Sequence, residues 1–396
     1  MEKISSVIAK ETRDSRGKPT IEVTLRAGQY EASAKVPSGK SAGSREACEL
    51  RDADGVGVSR AISHVNSTIA SILVGLALDP IAVDHKLIAL DGTANKTNLG
   101  ANGMLGVSMA AMRLTALSRG IPLWKLIADL SRSTPSFPRL YMNMLNGGAH
   151  AAFRLPFQEY IVAVGGAPSD AYRKASEIFE QLGVLVHESC GGVPMGDEGG
   201  YSPEIQSIEE PFRLLRDAIG ERADAFIAID VAASEFFHEE KYTILGTNYA
   251  SNELLSIYNI LSKQYDLKSI EDPFDESDFS AFETMTSAMG DSVLVVGDDL
   301  TVTNPRIVTE MASAGRANAM IVKPNQVGTM TEVFDAVNIA RGAGWKLIAS
   351  HRSGETDDTF ISDLAVGIGA YGLKAGAPTQ MERRVKYERL LEIEQE

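Results

Sequence analysis

From residue 140 onward, short apolar runs alternate with helical patterns. The runs are "LYMNML" (140–145), "EYIVAV" (159–164), "FIAID" (226–230), "LKSIED" (267–272), "VLVVGDD" (293–299), "AMIVK" (319–323) and "KLIASH" (346–351). Segments this short and this apolar read as strands buried on both faces. Strand–helix alternation means a parallel sheet, and this many units over about 250 residues suit an eight-stranded barrel better than an open sheet. The expected fold class is therefore α/β, a (β/α)8 barrel.

The runs end in chemistry. Asp230, Glu271, Asp298, Lys323 and His351 each close one of them. The gaps from 271 to 298, 298 to 323 and 323 to 351 are 27, 25 and 28 residues, one strand–helix unit each. In a closed barrel such residues converge on one rim, where barrel enzymes keep their active sites. One acid after a strand is ordinarily a helix cap. Three carboxylates packed together stay ionised only if a cation joins them, and oxygen-only ligation selects Mg2+ or Mn2+ over zinc. Beside a dication, a partly desolvated Lys323 has its pKa pushed down, so it accepts a proton near neutral pH. The plainer alternative is a salt bridge to one of the acids. "SHRSGE" (350–355) offers His351, Arg352 and Ser353, a donor set suited to phosphate. "GDEGG" (196–200) and "NGGAH" (146–150) are weak signals alone, since such stretches are usually only turns.

The N-terminal third reads differently. "TIEVTLRAGQYEASAKV" is an antiparallel hairpin turning at Ala27-Gly28. Helical stretches follow: "SREACELRDA", capped by Ser44, and segments around 58–78 and 101–119. "SRSTPSFP" (131–138) is a linker. "GIGAYG" (367–372) matches G-x-G-x-x-G, but a helical pattern precedes it and little chain follows, so the dinucleotide reading lacks its context. A net charge of −15 argues against nucleic-acid or anionic-membrane partners. Two cysteines, no signal-peptide core and no apolar run long enough for a membrane span fit a cytoplasmic protein.

These motifs, in this order, resemble the enolase family, which dehydrates 2-phosphoglycerate to phosphoenolpyruvate. The likeness runs through "DSRGKPTIEV", "VPSGKSAGSREACELRD", "LDGTANKTNLGAN", "NGGAH", "QEY", "GDEGGYSP", "DVAASEFF", "SIEDPFDESD", "GDDLTVTNP", "KPNQVGT", "SHRSGETDDTFISDLAVG" and "LKAGAP", almost the whole chain. It implies an α+β capping domain (1–134) and an enolase-type barrel (135–396) that starts β-β-α-α. It further implies a first Mg2+ on Asp230, Glu271 and Asp298, and a second that arrives with substrate at Ser41. Lys323 would be the base, and Glu198 would help the hydroxyl leave with Glu159 beside it. Lys374 would sit on the substrate carboxylate. Arg352 and Ser353 would hold the phosphate, and His150 and His351 would line the pocket.

Two loops depart from the family pattern. "SGKSAG" (38–43) carries Lys40, and "AAFRLPF" (151–157) carries Arg154, where the family has small or polar residues. Two added cations at the pocket mouth would suit a ligand with an extra anionic group. That raises an alternative, a paralogue from phosphonate biosynthesis that makes carboxyphosphonoenolpyruvate from a phosphonoformate donor. A catalytically silent structural relative is a further alternative. The family also implies a homodimer or higher homo-oligomer. Arg16 and Glu382 are able to pair across it, whereas Glu22 and Glu392 are like charges and cannot.

Overall fold

A computed structural model describes the whole chain except residue 1, residues 40–42, 152–153 and 193, and the side chains of 149, 150 and 190. Strands β1 (Ile4–Arg13), β2 (Pro19–Ala27) and β3 (Tyr30–Lys35) form an antiparallel sheet in that order. The hairpin between β2 and β3 turns at Gly28, whose φ of 57° favours glycine. Ile21, Val23 and Leu25 alternate inward and are fully buried. The helix Ala101–Arg119 lies on them. Its Gly106 permits the close approach, since a Cβ there would come 2.5 Å from Val23 Cγ2.

Strand β1 carries no clean alternation, because its register with β2 shifts between Ile4 and Ser6. The helix expected from Ser44 does not form. Backbone groups in that segment pair with distant chain instead: Ala47 N–H with Gln326 O, Cys48 N–H with Asn95 O, and Cys48 O with Ala101 N–H. The segment is an irregular strap tying the N-terminal layer to the barrel. The helical stretch expected at 58–78 runs from Ser59 to Leu73, with a π-helical turn over Val65–Ile69.

The barrel is closed by β4 (Arg139–Asn146), β5 (Glu159–Val164), β6 (Ala225–Asp230), β10 (Leu267–Glu271), β11 (Leu294–Gly297), β12 (Ala319–Val322), β13 (Lys346–Ser350) and β14 (Gly372–Lys374). Between β6 and β10 the chain makes a small three-stranded excursion, β7 (Phe237–His238), β8 (Lys241–Ile244) and β9 (Thr247–Tyr249). Two helices, Pro168–Cys190 and Glu210–Ile219, follow β5, so the order begins β-β-α-α. Strand β5 runs antiparallel to both neighbours; every other barrel pair is parallel. Seven of the eight barrel strands match the apolar runs. The eighth, β14, begins at the last residue of "GIGAYG", Gly372, and the helix Phe360–Gly367 precedes it. Helix before strand is the reverse of a dinucleotide motif.

The barrel interior is a separate apolar cluster: Tyr141, Ile161, Ala163, Phe226, Ala228, Val296, Ala319, Ile321 and Ile348. Side chains alternate across a strand, so the residue two positions further on faces the same way. Stepping two residues toward one rim from this layer gives Asn143, Glu159, Asp230, Asp298, Lys323 and Ser350. The apolar filling and the polar ring are consecutive layers of one register.

Candidate active site

Register supplies the rest of the ring. Glu159 pairs with both Asn146 and Asp230, and Asp230 with Glu271; Ser350 pairs with Lys374. Because β5 is reversed, its first residue, Glu159, shares the rim with the last residues of its neighbours. Gly372 leaves room inside the barrel, since a Cβ there would meet the Tyr141 ring at 2.6 Å. Glu198 comes from the connection between the two consecutive helices, positioned by Asn143 Nδ2 at 3.1 Å. The rim opens into a cavity of about 460 Å³, the size of a small-ligand site.

Two lysines organise the carboxylates. Lys374, 2% exposed, reaches Glu271 at 2.7 Å, Asp230 at 2.8 Å and Glu159 at 3.2 Å. Lys323 bonds Asp298 Oδ2, while Gln326 donates to Asp298 Oδ1 at 2.8 Å. The carboxylate of Asp272 accepts the N–H groups of Asp298 and Asp299 at 2.9 and 2.8 Å, which fixes the turn bearing Asp298. Burial drives the Glu271 carboxyl well above its usual range, and the charge of Asp230 adds to the shift. Burial does the same to Glu159, with Glu198 adding. Asp298 resists burial because Lys323 holds its carboxyl down.

The downward shift expected for Lys323 was for a site holding a dication; with the acids alone the shift runs the other way. Burial is the largest single influence and lowers its pKa, but Asp298 and the other acids, Glu271 among them, together outweigh it and the net shift is upward. Without a cation the acids hold this ammonium charged, so the downward shift requires positive charge on those acids.

Nine carboxyl groups line the cavity against three cationic side chains among the described residues. An anion enters such a wall only with added positive charge. Among the described residues, the buried carboxylate oxygens Glu271 Oε1 and Glu159 Oε2 have no hydrogen-bond partner. Orphaned oxygens beside Asp230 and Asp298, with no sulfur or imidazole among these four residues, fit a hard dication such as Mg2+.

Beyond the acids, Arg352 and Ser353 follow β13 and line the cavity. Arg352 is held in a fork by Glu46 from the strap, at 2.9 and 3.1 Å, and by Asn325 at 2.9 Å. His351 Nε2 lies 3.6 Å from Glu198 Oε2. Burial pushes the His351 imidazole well below its ordinary pKa, against the pull of Glu198.

The structure thus gathers Asp230, Glu271, Asp298, Lys323, Glu159, Glu198, His351, Arg352, Ser353 and Lys374. Lys40, Ser41 and the His150 side chain lie outside the described residues. Arg154 is a correction: it is exposed and does not line the cavity. Its backbone N–H donates to Ala151 O at 3.3 Å. One of the two cations behind the phosphonate alternative therefore does not line this cavity. The sequence reading missed Glu46, Asp272 and Gln326 as site residues. Only Asp272 carried a local signal, the acidic doublet at 271–272.

Comparison with known proteins agrees along the full length. Residues 4–127 match the enolase N-terminal domain family, and residues 134–396 match the enolase C-terminal TIM barrel domain family. The chain is 43% identical to "Enolase B" of Dictyostelium discoideum over 419 residues, covering 99% of this chain and 95% of that protein. It is also 43% identical to "Enolase" of Methanopyrus kandleri over 413 residues, covering 100% and 96% respectively.

Proposed function

The chain belongs to the enolase family, and we propose that it dehydrates 2-phosphoglycerate to phosphoenolpyruvate with Lys323 taking the α-proton. The observation that carries this reading is the convergence of Asp230, Glu271 and Asp298 with two lysines on one barrel rim.

Removing a proton next to a carboxylate places a second negative charge on that carboxylate. A weak base achieves this only if the charge is stabilised as it forms. Mg2+ held by Asp230, Glu271 and Asp298 supplies Lewis-acid stabilisation of that charge when bound. Lys374, fixed by three carboxylates, adds an ammonium aimed at the same oxygens. Lys323, on an extended backbone just after β12, presents its amine to the α-carbon. Glu198 assists departure of the hydroxyl, beside Glu159, whose carboxyl burial and the charge of Glu198 push well above its ordinary range. Arg352 and Ser353 hold the phosphate, which takes up the fork that Glu46 otherwise shares. The pairing of a lysine base with Mg2+ in enolases is itself a standard worked case.

Two Mg2+ ions per site, the second arriving with substrate, and a cytoplasmic homodimer complete the reading. Calorimetric titration with and without substrate counts the ions, and sedimentation gives the mass. The deciding assay is turnover of 2-phosphoglycerate with Mg2+, followed by enol absorbance, beside Lys323→Ala. We expect turnover by the native protein only. Lys323→Ala should lose α-proton exchange while still binding Mg2+; exchange that survives the substitution would remove Lys323 from the role.

A further inference from the structure

Arg383 has the largest of the fully buried side chains among the described residues, and it stands outside the cavity, on the C-terminal helix Met381–Gln395. Its guanidinium is spent on three consecutive residues of the segment after β13. Nη1 donates to Arg352 O at 2.6 Å and bonds His351 Nδ1; Nη2 donates to Ser353 O at 2.8 Å. The remaining nitrogen, Nε, faces Gln380 Oε1 at 3.4 Å. A guanidinium has donors only and keeps its charge. His351 Nδ1 must therefore accept, which leaves the ring proton on Nε2, the nitrogen facing Glu198.

A second feature fixes the ring. Gly376, at φ 80°, leaves the space beside it. A Cβ there would come 3.0 Å from His351 Cε1 and 2.9 Å from Arg383 Cδ. The imidazole is thus held between a glycine and a permanent cation.

We propose that Arg383 is a positioning residue for the reaction: it holds His351 as the neutral Nε2–H tautomer, a donor aimed at Glu198 and the cavity. The same guanidinium clamps the carbonyls of Arg352 and Ser353, whose side chains face the phosphate. An imidazolium would set an N–H against the guanidinium, so His351 serves as a fixed donor and not as a proton carrier. The roles of Glu198, Arg352 and Ser353 rest on the proposed function. The tautomer rests only on the packing.

The test begins with the unmodified protein. Long-range 1H–15N spectra of histidine-labelled protein, with His351→Asn to assign the signal, read the tautomer directly. We expect a pyridine-type Nδ1 and a protonated Nε2 from pH 6 to 8. A protonated Nδ1, alone or as imidazolium, in that range overturns the proposal. Arg383→Met should then lower kcat about 10–100-fold, by analogy with the loss of an outer partner of a metal-bound imidazole. Its kcat should also acquire an acid-side fall that the native profile lacks. Arg383→Lys, with one mobile donor, should recover part of kcat. A folded Arg383→Met with native kcat and native pH profile also overturns the proposal. If the expected tautomer is found but 2-phosphoglycerate is not turned over, the assigned reaction fails and the ring assignment stands.

Discussion

Asp84 lies fully buried on the helix Pro80–Asp91, where the N-terminal layer meets the barrel. Its carboxylate accepts the N–H and hydroxyl of Thr331, both at 2.8 Å, in the first turn of the helix Met330–Gly342. A helix N-terminus favours negative charge, yet burial wins. It pushes the Asp84 carboxyl up to about 6, against hydrogen bonds from Ser108 and Thr331. A carboxyl raised in the folded state binds its proton more tightly there than in the unfolded chain. It therefore costs stability at high pH, and the cost fades as pH falls through 6 toward the unfolded value. A rise from 3.8 to 6 corresponds to about 3 kcal/mol at 1.36 kcal/mol per pH unit. Roughly 1.4 kcal/mol of this falls between pH 5 and 8, by the same linkage. Asp84→Asn keeps an acceptor for Thr331 and cannot ionise. Its stability relative to the native protein should rise by about that amount between pH 5 and pH 8. Urea unfolding of both proteins at the two pH values measures the difference. A native-minus-variant difference that does not change with pH would refute the argument that burial controls this group.

Three further outcomes are expected. Glu271→Gln removes one charge from the proposed Mg2+ site and should weaken Mg2+ binding about 10-fold or more by calorimetry, while Lys374 keeps its contact to the amide oxygen. Glu46→Gln leaves the buried Arg352 without its charged partner, so the apparent melting temperature should fall; inorganic phosphate should then stabilise the variant more than the native protein in a thermal-shift assay. Gly372→Ala places a methyl against the Tyr141 ring and should cost about 1–3 kcal/mol, read as a lower urea midpoint.

How much of this was legible in the sequence depended on whether the cause was local. Strands such as Ala319–Val322 are buried on both faces, and a continuous apolar run reports that directly. Strand β14 has three residues, of which only Leu373 is apolar, and it hides among glycines. Strand β1 lost its alternation to a register shift, and the strap at 44–53 looked helical because the partners that unwind it, Asn95, Ala101 and Gln326, are remote. The site divides the same way. Asp230, Glu271, Asp298 and Lys323 stand at strand ends and could be counted off. Glu46 reaches Arg352 across 306 positions, and Arg383 reaches His351 across 32, from a helix with no local mark of its task. The upward Lys323 shift without a cation was not legible, because it depends on how close Asp298 lies, and that is a distance.

The reversal at β5 decides more than one strand. A regular β/α barrel has a simple parity: strand-to-helix turns lie on the catalytic rim and helix-to-strand turns on the other. One reversed strand inverts that parity, and the second helix of the pair Pro168–Cys190 and Glu210–Ile219 restores it before β6. Between the two inversions, a hairpin turn and a helix-to-helix turn both emerge on the catalytic side. The first carries Gln158 and the second carries Glu198. A carboxylate from a helix-to-helix turn has no route to that rim in a strictly alternating chain. Restoring regular alternation would send Glu198 to the far end of the barrel, with every residue around it unchanged.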